Sequence, residues 1–199
     1  MNDEQAIRQL IENWILWRDA GEWERLATLW HPEGRMMATW HQASATEFIA
    51  RSRRAWDEGV KVLHALGGAS IEISDQRAVS QSRMDITQRA IVDGVLVDVT
   101  CRGRFWDALE KRNDRWGLML RQPVYEMDRM TLVDPAATLT LDAQLLASFP
   151  EGYRHLAYLQ TRLGFEVKKN LPGTRGPEIE ALMARGVRWL SGASASCLE

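Results

Sequence analysis

A chain of 199 residues with 45% hydrophobic content and nine tryptophans can bury one sizeable core plus an appendage, and is short for two compact domains. Its formal charge of −2 and pI near 6.1 provide no cationic field for phosphate backbones, and no basic run interleaved with aromatics occurs, so nucleic acid is not an expected partner. Acids stand in the first ten residues where a secretory leader carries Lys or Arg, and no apolar run approaches the roughly 20 residues of a membrane span; the expectation is a soluble cytoplasmic protein.

In chain order, Ile7, Leu10, Ile11, Trp14 and Ile15 fall at helical spacing, with Asn2 and Gln5 placed to cap the start, and this first helix ends at Gly21. A second short helix carries Trp23, Leu26, Ala27 and Trp30 on one face with Pro32 just past its end, and a strand follows over 34–40. Ser44 and Glu47 form a capping box for a helix running to about Trp56, stopped by Gly59. Residues 60–66 alternate, with Val60, Val62, His64 and Leu66 on one side, until Gly67-Gly68 interrupts them.

Asp93-Gly94 signals a two-residue hairpin, which sets Arg89 opposite Asp98, Asp85 opposite Arg102 and Ile86 opposite Cys101. That register puts Met84, Ile86, Gln88, Cys101 and Phe105 on the core or pocket face and the charged residues on the other. After a turn at Arg112-Asn113-Asp114 the chain returns over 115–128, with Gly103 in its partner strand as a candidate bulge. Helices then follow over 153–163 and 177–190, the latter with an apolar stripe that must cover its own sheet or another subunit. This order of elements predicts an α+β fold, a curved mixed or antiparallel sheet wrapped around N-terminal helices, with residues 1–128 as the domain and 129–199 as a helical extension acting as lid or oligomer contact.

Two residues stand out. A carboxylate in the last turn of a helix faces the negative end of the dipole, so Asp19 is unfavourable there unless something compensates it. His64 shares a strand face with apolar neighbours, and a buried imidazole needs a partner for each nitrogen. The bland readings are a solvated turn residue and a core histidine bonded to a carbonyl. The functional reading is a dyad in which Asp19 accepts one ring N–H and leaves the other nitrogen free to take a proton from a substrate. Arg121, on the last strand, is a candidate for holding an oxyanion or leaving anion; a three-residue turn at 112–114 aims it inward with Phe105, and a two-residue turn aims it out. His41, just after the first strand, is a candidate for the pocket rim, and Trp14, Met84, Ile86 and Tyr125 for its wall. His31, His41 and His155 show no metal-ligand spacing, the two cysteines Cys101 and Cys197 read as a buried small hydrophobe and an incidental thiol, and no nucleotide, dinucleotide or serine-hydrolase motif occurs. No cofactor and no metal are expected.

The layout over residues 4–128 resembles the SnoaL-like branch of the NTF2-like (cystatin-like) superfamily. The stretch Asp19-Ala20-Gly21-Glu22-Trp23-Glu24-Arg25-Leu26-Ala27-Thr28-Leu29-Trp30 is similar to the helix-turn-helix of its hexachlorocyclohexane dehydrochlorinase members, and Val62-Leu63-His64-Ala65-Leu66 to the strand that carries their dyad histidine, as in the scytalone and bile-acid dehydratases. The resemblance implies an Asp19/His64 dyad, a pocket arginine at Arg121 five residues beyond Trp116, Cys101 and Phe105 in the pocket wall, and a homo-oligomer, trimer or dimer. Trp14 stands where the relatives carry Lys or Tyr. The expectation is a cofactor-independent lyase, dehydratase-like or dehydrohalogenase-like, acting on a small apolar molecule. An isomerase or cyclase of the same fold, a noncatalytic ligand-binding or oligomerisation module, and a small subunit of a ring-hydroxylating dioxygenase are the alternatives.

Overall fold

The computed structural model describes residues 2–198. Three helices come early: α1 (Asp3–Asp19), α2 (Trp23–Ala27) and α3 (Ala45–Asp57). Strands β1 (Trp30–Met37), β2 (Gln42–Ser44), β3 (Lys61–Ser74), β4 (Arg77–Val92), β5 (Val95–Arg112) and β6 (Arg115–Leu132) form one mixed sheet in the order β2-β1-β6-β5-β4-β3, antiparallel except where β1 runs parallel to β6. The extension adds α4 (Ala143–Ala147), α5 (Arg154–Arg162) and α6 (Pro177–Leu190). This is the expected α+β cone. Among the described residues no helix is long and apolar enough to cross a membrane.

Local signals account for the element boundaries. Asn2 and Gln5 close a reciprocal capping box on α1, and the Ser44 hydroxyl accepts the Glu47 N–H at the start of α3. The Asp93-Gly94 hairpin has positive φ at both turn residues and gives all three expected cross-strand pairs. Several boundaries differ from the sequence expectation: β1 ends at Met37 rather than Trp40, β6 runs on to Leu132 rather than Asp128, and two further differences have a clear local cause. β1 starts at Trp30 rather than Gly34, because a register shift between Trp30 and Arg35 places Pro32 and Glu33 outside the ladder, where a missing N–H does no harm. Gly67-Gly68 does not end β3; the register shifts between Leu66 and Ala69 and the strand runs on to Ser74.

The sheet bends where β5 meets β6. Gly103 pairs with Tyr125 while Arg102 pairs with Met127, so Glu126 is the extra residue of a bulge. A Cβ at Gly103 would lie 1.9 Å from the Val124 carbonyl oxygen, a backbone atom that cannot swing aside. Gly103→Ala is therefore expected to destabilise the fold by about 3 kcal/mol, the upper range for overpacking, read as a fall in the denaturant midpoint. A variant within experimental error of the parent would show that the bulge is more pliable than its packing indicates.

The concave face holds the main core. α1, α2 and α3 lay Ile7, Ile11, Trp14, Leu26 and Phe48 against Val97, Val99, Phe105 and Leu118 of the sheet, and α5 adds Leu156 and Leu159 to the same core. A second core lies on the other face. There α6 brings Ile179, Leu182 and Trp189 onto Val79, Trp106, Leu120 and Val124. Gly186 lets α6 approach this closely, since a Cβ there would stand 3.1 Å from the Trp106 ring. Arg77 stacks over the Trp189 ring at 4.0 Å and donates to its carbonyl, while the Trp189 indole N–H donates to the Leu109 carbonyl. The apolar stripe of α6 thus covers its own sheet.

Candidate active site

The last residue of α1, Asp19, faces the N-terminal part of β3 at His64. Asp19 Oδ1 accepts the His64 Nδ1–H at 2.7 Å, and Oδ2 accepts the His64 backbone N–H at 2.6 Å. β3 is an edge strand, so one row of its N–H groups has no ladder partner, and the carboxylate takes one of them. Two short charge-assisted bonds offset the unfavourable dipole at this helix end. The side chains of His64 and Asp19 are 6% and 13% exposed, so the pair is shielded from solvent.

With Nδ1 donating to the carboxylate, the neutral ring carries a bare Nε2, which has no hydrogen-bond partner among the described residues. His64 borders a cavity of about 50 Å3 with Trp14, Ile86, Phe105, Tyr125 and Leu156 among its walls. The Trp14 ring meets the imidazole edge-on at 5.6 Å. A neighbouring cavity of about 70 Å3 shares Arg18, Trp40, Val62, Gln88 and Gln160 with the first. Thr39 donates to Gln160 at 2.6 Å, and Gln160 donates onward to Gln88 at 3.4 Å, a polar seam between α5 and the sheet.

Burial pushes the His64 pKa below the 6.5 of a free imidazole; the Asp19 carboxylate opposes that shift, and the charges of Arg18 and Arg121 add to it. The ring therefore stays neutral at pH 7 and retains its basic nitrogen. A depressed folded-state pKa means that the unfolded chain binds the proton first as pH falls. Stability should thus decline from pH 6.5 downward until the folded ring itself protonates. In His64→Gln this part of the decline should be absent from urea titrations between about pH 6.5 and 5; an unchanged slope would contradict the shift.

The predicted pocket residues divide. Trp14, Ile86, Phe105 and Tyr125 line the cavity. Burial keeps the Tyr125 phenol far above its ordinary pKa, so it is a permanent donor. Met84 and Cys101, 2% and 0% exposed, lie in the core and do not border the cavity. The Cys101 thiol is raised well above its ordinary pKa by burial and points at Asp128. His41 lies outside, on a cleft of about 470 Å3 that shares Trp40 with the inner cavities, and its Nε2 meets the Ser44 carbonyl. Among the described residues no three His, Cys, Asp or Glu side chains converge as metal ligands.

Arg121 faces inward, by a different route from the one expected. The turn closes in two residues, Asn113 and Asp114, both at positive φ, which would send Arg121 to the outer face. A bulge intervenes: Leu109 pairs with Leu118 and Ala108 with Leu120, so Met119 is extra and the parity flips. Arg121 then pairs with Asp107 in a fully buried two-pronged ion pair at 2.7 and 2.8 Å, its guanidinium stacked 4.4 Å from the Trp14 ring and 4.5 Å from Phe105. It does not border the cavity. The charged residue that does is Arg18, which sequence reasoning missed. Its signal was position: four residues after Trp14, it falls on the apolar stripe of α1, where a charge is out of place.

Comparison with known proteins agrees with this architecture. Residues 1–122 match the SnoaL-like domain. Pea pathogenicity protein 2 of Fusarium vanettenii is 37% identical over 173 residues, which cover 85% of this chain and 74% of that one. A putative scytalone dehydratase from Novosphingobium aromaticivorans superposes with a TM-score of 0.55 at 15% identity, covering 69% of this chain and 95% of that chain. A hexachlorocyclohexane dehydrochlorinase superposes with a TM-score of 0.57 at 11% identity, covering 69% and 93%. At such identities the two structures speak for the fold, while the domain match, which spans more than half of the chain, establishes the lineage: the chain belongs to the SnoaL-like domain family.

Proposed function

We propose that the protein is a general-base lyase acting on a small molecule. The observation that carries this reading is the buried His64 on the wall of a shielded cavity, its Nδ1 bonded to Asp19 and its Nε2 without a protein partner among the described residues. Nε2 takes a proton from a carbon next to an activating group; the C–H electrons form the new double bond as the leaving group departs. Asp19 stabilises the imidazolium. If the leaving group is hydroxide, the imidazolium returns its proton and water is lost; if it is a halide, the proton passes to solvent. The likeness to dehydratase and dehydrochlorinase folds supports this class of reaction. Return of the proton to a different carbon would make the same site an isomerase.

In this proposal Arg121 is a positioning residue: paired with Asp107, it braces Trp14 and Phe105 behind the cavity. α5 is the cover, since Leu156 and Gln160 close the cavity from the extension. One observation favours a noncatalytic module instead. At about 50 Å3 the cavity exceeds the 10–15 Å3 a water needs but falls short of the 150 Å3 of a benzene-binding cavity, so a larger substrate requires α5 or Trp40 to move. The test is proton exchange: small β-hydroxy ketones in D2O, followed by proton NMR, should lose their α-protons or form the enone with the parent protein and not with His64→Gln. Equal rates in both proteins would rule out His64 as the base.

A further inference from the structure

The two cavities are lined asymmetrically in charge. No carboxylate borders either, while Arg18 borders both and Arg51 borders the second. Arg18 is 7% exposed, and its buried Nε has no hydrogen-bond partner. Its one carboxylate contact, Asp19 Oδ1 at 3.5 Å, is at the limit of a hydrogen bond, and both Asp19 oxygens are already engaged by His64 at 2.7 and 2.6 Å. Facing the same second cavity is Ser52, 1% exposed, whose hydroxyl also lacks a partner. Unpartnered buried donors are rare because each forfeits its hydration without recompense. Two of them on one compartment, under a net positive lining, describe a receptor for a group that accepts hydrogen bonds and bears negative charge.

We propose that this second compartment is a carboxylate subsite, and that the substrate is a small carboxylic acid spanning both cavities. Its carboxylate is held by Arg18, with Ser52 as a further donor and Arg51 closing the outer side. The carbon that loses its proton lies in the first cavity beside His64, next to a separate activating group such as a ketone, because a carboxylate alone acidifies its α-carbon too little for an imidazole. The volumes, about 50 and 70 Å3, suit a short chain. Burial lowers the Arg18 pKa from its ordinary value, consistent with a cation short of counter-charge. The substrate class rests on the general-base reading of His64; the anion subsite does not.

The experiment compares butyrate with its neutral isostere butyramide by calorimetry and by the Nε–H NMR signals of the arginines, in the parent, Arg18→Met, Ser52→Ala and His64→Gln. The parent should bind butyrate at least about tenfold more tightly than butyramide, the range of a hydrogen bond to a charged group, and butyrate should shift the Arg18 Nε–H signal. Arg18→Met should abolish the preference, Ser52→Ala should reduce it severalfold, and His64→Gln should retain it. Retention in His64→Gln separates the subsite from the base: loss of exchange activity there with the preference intact supports both, and unchanged activity refutes only the base. If Arg18→Met fails to fold, the parent and Ser52→Ala decide. Butyrate binding no tighter than butyramide in the parent, no detectable butyrate binding, or a preference that survives Arg18→Met or is untouched by Ser52→Ala would overturn the proposal.

Discussion

Replacing His64 with glutamine should slow proton abstraction by between about 10² and 10⁴-fold, the usual contribution of a positioned base, while leaving the protein folded. Glutamine keeps the hydrogen-bonding character and most of the volume, and the backbone N–H of residue 64 still reaches Asp19 Oδ2. What is lost is a nitrogen able to hold a proton. Asp19→Asn should give a loss of the same order for a different reason. An amide can present its NH2 to Nδ1, which moves the ring proton to Nε2 and removes the free lone pair from the cavity. The two variants therefore differ in one readout: the histidine of Asp19→Asn remains present but in the other tautomer. Full activity in either would remove the dyad from the mechanism.

Asp107→Asn should be among the most destabilising single changes in the molecule. Asp107 and Arg121 are both 0% exposed, and the guanidinium packs against the Trp14 and Phe105 rings, shut off from solvent. Removing the carboxylate leaves a buried cation, which costs about 3–5 kcal/mol. The paired replacement of Asp107 by Leu and Arg121 by Met should recover much of that loss, because apolar groups of similar volume substitute well for a buried ion pair. Chemical denaturation of the single and double variants measures both. The double variant also separates support from chemistry: proton exchange near the parent rate would mean that Arg121 serves only to brace Trp14 and Phe105, whereas a folded, inactive double variant would give its charge a direct part.

Where the sequence was readable, strong local chemistry made it so. Asp93-Gly94 can hardly form anything but a tight turn, and from it the β4–β5 register follows residue by residue. Asp19 and His64 were conspicuous because each breaks the rule of its own element, an acid at a helix C-terminus and an imidazole on an apolar strand face. Arg121 was legible only in part. Its direction depends on the number of residues between the turn and itself that stay in register, and the extra residue, Met119, has no composition that marks a bulge, unlike Gly103. The pocket wall was overdrawn for a related reason. Face alternation says that Met84 and Cys101 point inward, but not that other side chains bury them before the cavity is reached. Arg18 is easily passed over because an arginine beside an aspartate at a helix end looks like surface, although its place on the apolar stripe of α1 marks it for burial.

The proposed mechanism depends on the protonation state of one ring. Long-range 15N–1H NMR of the histidines, with His64→Gln used to identify the signal, reads tautomer and pKa together and needs no substrate. The expected spectrum shows His64 protonated on Nδ1 and bare at Nε2 at pH 7, with a titration midpoint below the free-imidazole value of 6.5. A proton on Nε2, or a ring already charged at pH 7, would contradict the general-base assignment.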